Sequence, residues 1–107
     1  MSFEIETTRK FDREIKRLTK KFPSLKIEFA NLLTQLKELP RTSTPLGNDC
    51  YKIRVSIVSK GKGKSGGTRV ITHVHISNTT VYLLTIYDKS ERDTLSDKEL
   101  IELLKLI

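Results

Sequence analysis

The chain has 107 residues, 36% of them hydrophobic and 31% charged, with a formal net charge of +7. That length fits one small domain with a single core, and the supply of Leu, Ile, Val and Phe excludes a disordered chain. A single cysteine excludes an internal disulfide and a Cys-rich zinc site, no apolar run is long enough for a transmembrane helix, and the basic balance favours a polyanionic partner.

Phe3 and Ile5 alternate with Glu4 and Glu6, which predicts a short first strand, with Thr7 or Thr8 capping the helix that follows. The start of the chain lacks the basic opening and apolar stretch of a signal peptide, so a cytoplasmic setting is expected. Phe11, Ile15, Leu18 and Phe22 make one stripe of a helix over about residues 9–21. Its other side carries Arg9, Lys10, Arg13, Lys16, Arg17, Lys20 and Lys21, to be read as a solvated surface or as a second contact zone for nucleic acid. Pro23 ends that helix and Ser24 is placed to cap the next, whose stripe is Leu25, Phe29, Leu32, Leu36 and Leu39. So short a turn implies an antiparallel helical hairpin. Pro40 stops the second helix, and residues 41–49 read as a polar connection.

Residues 50–75 hold six cations (Lys52, Arg54, Lys60, Lys62, Lys64 and Arg69), and no Asp or Glu occurs between Asp49 and Asp88. Tyr51, Ile53, Val55 and Ile57 share one face of a strand, with Lys52, Arg54 and Ser56 on the other. After a Gly- and Lys-rich turn, Val70, Val74 and Ile76 line the apolar face of the next strand, opposite Arg69, Ile71, His73 and His75. With the apolar faces against the helices, Lys52, Arg54, Arg69 and His73 should converge on an open face. Residues 81–87 are nearly all apolar and predict a central strand whose facing alternation does not assign. Beyond it, Ser96 and Glu99 form a capping box and Leu95 and Leu100 a hydrophobic staple, opening a last helix with Leu103, Leu104 and Ile107 on its apolar stripe. The order is β-α-α-β-β-β-α: an α+β fold with an antiparallel sheet and a helical hairpin packed on one of its faces, one domain over residues 1–107.

Gly63-Lys64-Ser65 does not make a phosphate-binding P-loop, because Val58 stands where the first glycine belongs and a strand follows. His73 and His75 lack a third ligand, so no metal or other cofactor is expected. The chemistry these residues suit best is metal-free cleavage of RNA, in which the 2′-hydroxyl attacks the adjacent phosphate. A base takes the 2′ proton, cations hold the added negative charge, and an acid protonates the departing 5′-oxygen. A lysine among cations can serve as the base, which singles out Lys52, beside Arg54 and expected to face Arg69 across the sheet. Arginine fits phosphate as a planar, bidentate donor.

These residues resemble the RelE/HigB branch of type II toxin–antitoxin toxins. The resemblance rests on Leu46-Gly47, on Asp49-Cys50-Tyr51-Lys52-Ile53-Arg54, on residues 63–71, and on residues 83–91 with the Leu95-Ser96 start of the last helix. It implies a cytoplasmic toxin that enters the ribosomal A site and cuts translated mRNA, and that is neutralised by a cognate antitoxin. Carried over by motif, the catalytic candidates are Lys52, Arg54, Arg69 and Lys89. The expected RNA contacts are Lys60, Lys62, Lys64, His73, Tyr87 and Arg92. Leu95 stands where RelE itself has a base-stacking tyrosine, and Thr72 follows Ile71 where the HigB motif continues with tyrosine, which leaves Tyr87 or His73 as stacking candidates. Two alternatives share the fold: a ParE-like gyrase inhibitor without nuclease activity, and a catalytically inactive RNA- or partner-binding module.

Overall fold

In a computed structural model, which describes residues 2–58, 67–92 and 94–107, the chain forms five strands and three helices. They are β1 (Glu4–Thr7), α1 (Arg9–Lys21), α2 (Leu25–Glu38), β2 (Thr44–Gly47), β3 (Cys50–Val55), β4 (Thr68–His75), β5 (Thr80–Asp88) and α3 (Asp97–Leu104). The strands make one sheet in the order β1-β5-β4-β3-β2. The α+β class holds, with one correction: the sheet is mixed, because β1 runs parallel to β5 while the other pairs are antiparallel. The polar connection expected after α2 likewise contains a strand, β2. Only four residues long and containing Pro45 and Gly47, it lacks a legible two-residue alternation.

Thr8 joins the first strand to the first helix. Its hydroxyl accepts from the Phe11 amide at 3.0 Å, capping α1, and donates to the Leu84 carbonyl at 3.1 Å. Ser24 does not cap α2; its hydroxyl donates to Glu28 at 3.2 Å. Both helices lie on one face of the sheet, where Phe11, Leu18, Leu25, Leu32 and Leu36 pack with Ile53, Val55, Val70, Val74, Val81, Leu83 and Ile86. The rings of Phe11 and Phe29 meet at 5.6 Å and join the two helices within that core. This main core follows from the helical and strand periodicities, and burying apolar surface there is the chief stabilising term.

A second, smaller cluster lies on the other face. There α3 places Leu100 and Leu103 over Cys50, Ile71, Leu84 and Tyr87. β5 supplies residues to both clusters through an irregularity: Ile71 opposes Thr85 but Thr72 opposes Leu83, so Leu84 is an extra residue. That bulge is why alternation could not assign the strand's faces. The capping box at Ser96 and Glu99 is present in full.

Two backbone features set the position of β3. Asn48 and Asp49 both have positive φ (54° and 57°) and join β2 to β3, with Gly47 opposite Cys50; two successive left-handed residues are the hairpin turn that matches strand twist. At the other end, the Thr68 hydroxyl donates to the Val55 carbonyl at 3.2 Å. Gly67, at φ 84°, lies so close that a Cβ there would sit 2.6 Å from that same carbonyl. Gly67→Ala is therefore expected to lower stability by about 2 kcal/mol or more, combining left-handed strain with a backbone clash. Chemical denaturation of the two proteins measures this, and an unchanged midpoint would contradict the close approach.

Candidate nucleic-acid interface

The register of β3 on β4 decides which cations meet. Arg54 lies directly opposite Arg69, Lys52 opposite Ile71, and Cys50 opposite His73. Directly opposed residues project to the same face, so Lys52, Arg54, Arg69 and His73 share one, as the alternation implies. The expectation that Lys52 faces Arg69 is corrected: Arg54 does, and Lys52 is Arg69's diagonal neighbour. The face is also less open than expected, since α3 and its cluster cover the part around Ile71, Leu84 and Tyr87.

The cations differ in exposure. Arg54 is exposed and Lys52 half-buried. Arg69 is only 6% exposed, and one of its guanidinium nitrogens donates to the Thr68 carbonyl at 3.1 Å. It therefore lies beneath the surface on which Arg54 stands. Lys89, half-buried, follows β5, and its amide donates to the Gly67 carbonyl at 3.1 Å, which holds that turn against the start of β4. Lys60, Lys62 and Lys64 lie outside the described residues.

Tyr87 lies opposite Arg69 on β5 and is 7% exposed. The Arg92 guanidinium sits over its ring, 5.6 Å from the centroid, and is held there by an ion pair with Glu99 and a bond to the Thr94 carbonyl at 3.2 Å. So placed, the ring face is occupied by a cation. Sequence reasoning missed this lid, because it depends on α3 folding back over the sheet. His73 is half-buried; its Nδ1 lies 3.0 Å from the Asn48 carbonyl, and its ring is nearly parallel to that of Tyr82 at 6.4 Å. Of the two stacking candidates, His73 has the more accessible ring.

Two acidic residues with structural roles were also missed. The Glu14 carboxylate on α1 accepts from the Thr85 hydroxyl at 2.7 Å and the Ile86 amide at 3.2 Å, and pairs with Lys10. It thereby serves the edge of β5 beyond the point where β1 ends. Glu28 on α2 accepts from the Val58 amide at 2.7 Å, fixing the chain just before residues 59–66. Neither carboxylate lies on the strands that carry the cations. Among the described residues, no group of three His, Cys, Asp or Glu side chains is placed to hold a metal ion, and no helix is long and apolar enough to cross a membrane.

The profile of the family described as the RelE toxin of the RelE/RelB toxin–antitoxin system matches residues 6–107. Among solved structures, the chain is similar to an arginine-to-alanine double mutant of the E. coli toxin RelE in the free state: 19% identity, TM-score 0.64, 100% of this chain and 99% of the other. It is also similar to a chain of the intact E. coli RelBE toxin–antitoxin complex: 16% identity, TM-score 0.50, 79% of this chain and 94% of the other.

The cysteine on this face is not a nucleophile in waiting. Cys50 is fully buried, with its sulfur 3.6 Å from His73 Nδ1 and 3.5 Å from the Asn48 carbonyl. Burial, with the negative charge of Asp49 adding to it, pushes the thiol up to about 11. The folded state therefore holds its proton through a range in which the unfolded chain, at 9.0, releases it. The associated stabilisation is complete below pH 9 and is lost as pH rises towards about 11. Denaturation of wild type and Cys50→Ser across that range should show a fall in stability that the variant lacks. Native protein near neutral pH should resist iodoacetamide; rapid alkylation there would contradict the buried, protonated thiol.

Proposed function

The chain belongs to the RelE toxin family of toxin–antitoxin systems, and from that premise we propose that it is a ribosome-dependent, metal-independent endoribonuclease of the cytoplasm that cuts translated mRNA in the A site. Its partners on this reading are the ribosome, mRNA and a cognate antitoxin that neutralises it. The observation that carries the proposal is the direct opposition of Arg54 and Arg69 in the strand register, with Lys52 diagonal to Arg69, on two strands that contain no acid.

As the 2′-oxygen bonds to phosphorus, its proton passes to Lys52 and negative charge builds on the non-bridging oxygens. Arg54 is exposed and meets those oxygens directly; Arg69 lies beneath and adds a second positive charge from a site of low water content. The bond from phosphorus to the 5′-oxygen then breaks, leaving a 2′,3′-cyclic phosphate and a 5′-hydroxyl. Lys89, beyond the end of β5 and beside the start of β4, is the cation suited to give that leaving oxygen its proton. His73 offers a ring for the neighbouring base, and Arg92, with Lys60, Lys62 and Lys64, binds backbone phosphates. Such contacts position RNA without reading its sequence.

Induction in cells should halt translation and yield mRNA cut within codons, mapped by primer extension. Lys52→Ala and Arg54→Ala should each reduce cleavage by about 10²-fold or more, the usual contribution of a proton-transfer or charge-stabilising group. Intact transcripts with normal translation after induction, or growth arrest untouched by both substitutions, would defeat the proposal.

A further inference from the structure

The outward face of α1 is not used by the chemistry above. Phe11 and Leu18 are buried and Ile15 packs against the same core, which turns Arg13, Lys16, Arg17, Lys20 and Lys21 away from the sheet. These five side chains alone line a shallow, open concavity. They span eight helical positions beyond the first, a length of about 12 Å at 1.5 Å per residue. α1 lies on the sheet face opposite to that of Lys52 and Arg54, so RNA seated on those residues does not account for it.

Glu91, in the turn after β5, reaches back to this helix. Its two carboxylate oxygens accept from the Arg17 guanidinium at 2.8 and 3.3 Å, and Lys21 lies at 3.7 Å. Both sides of the pair are solvent-exposed, so the link is weak and easily exchanged. One carboxylate stands against two cations here, while Arg13, Lys16 and Lys20 have no acid partner among the described residues.

We propose that this face of α1 is a second RNA contact, taking the phosphodiester backbone of double-helical RNA, and that Glu91 is an internal competitor displaced by a phosphate. The chemistry favours this partner over other polyanions. An anionic membrane surface would call for apolar side chains beside the cations, and those of α1 point into the core. An acidic peptide would be anchored by side chains in pockets, and no apolar residue lines the concavity. A phosphate backbone requires only charge spread over a length.

The test uses the full chain and a labelled, fully 2′-O-methylated RNA hairpin, which lacks the hydroxyl needed for cleavage, so its outcome does not depend on whether the protein is a nuclease. Affinity is followed by fluorescence anisotropy over a salt series. The triple variant Arg13→Ala, Lys16→Ala, Lys20→Ala should bind more weakly, with a log–log salt slope shallower by about 2 to 3. Glu91→Gln should bind tighter, by roughly 2- to 5-fold, because Arg17 and Lys21 are released. The opposite signs separate the proposal from simple loss of structure. An unchanged slope in the triple variant, no gain from Glu91→Gln, or displacement of the hairpin by polyglutamate as readily as by unlabelled duplex would overturn it.

Discussion

Ile53 and Val70 lie opposite one another and both enter the core beneath the two long helices. Because side chains alternate with a period of two, that apolar pairing compels Lys52, Arg54 and Arg69 onto the other face. A slip of one residue would drive Lys52 and Arg54 into the core and expose Ile53 and Val55, at a cost no small domain could sustain. The left-handed turn at Asn48 and Asp49 sets the register from one end, and the approach of Gly67 to Val55 closes it at the other. The placement of charge is thus dictated by the packing of apolar neighbours behind it.

Arg54 and Arg69 are cross-strand neighbours in register, and like charges so placed are ordinarily destabilising. The arrangement stands because the backbone beneath is held by packing on both sheet faces, by α1 and α2 on one side and by α3 on the other. On the proposed function, a site held in this way is arranged for an anion before the anion arrives. Binding there would order few flexible side chains, which is the advantage of preorganisation.

Much of this was legible in the chain. The stripes Phe11–Ile15–Leu18 and Leu25–Leu32–Leu36 mark the helices because they recur at helical spacing, and Ser96 with Glu99 marks the last helix because two backbone amides need partners there. The sharing of one face by Lys52, Arg54, Arg69 and His73 followed from alternation alone. What was not legible depends on contacts distant in sequence. The parallel pairing of β1 with β5 joins segments more than seventy residues apart. The bulge at Leu84 has no local signal in an all-apolar run. Arg92 over Tyr87 requires α3 to return to the sheet, and Arg54 opposite Arg69 requires a register that periodicity cannot supply.

Glu14 governs a quantity that neither helix propensity nor apolar packing fixes finely. By holding the Thr85 hydroxyl and the Ile86 amide, it pins α1 at one azimuth about its own axis. Each residue advances a helix by about 100°. A single insertion between Glu14 and Lys20 would therefore rotate the downstream side chains by more than a quarter turn relative to this pin. The helix behaves as a keyed shaft, with Glu14 as the key, and its outward surface tolerates exchange of residues far better than any change in their number.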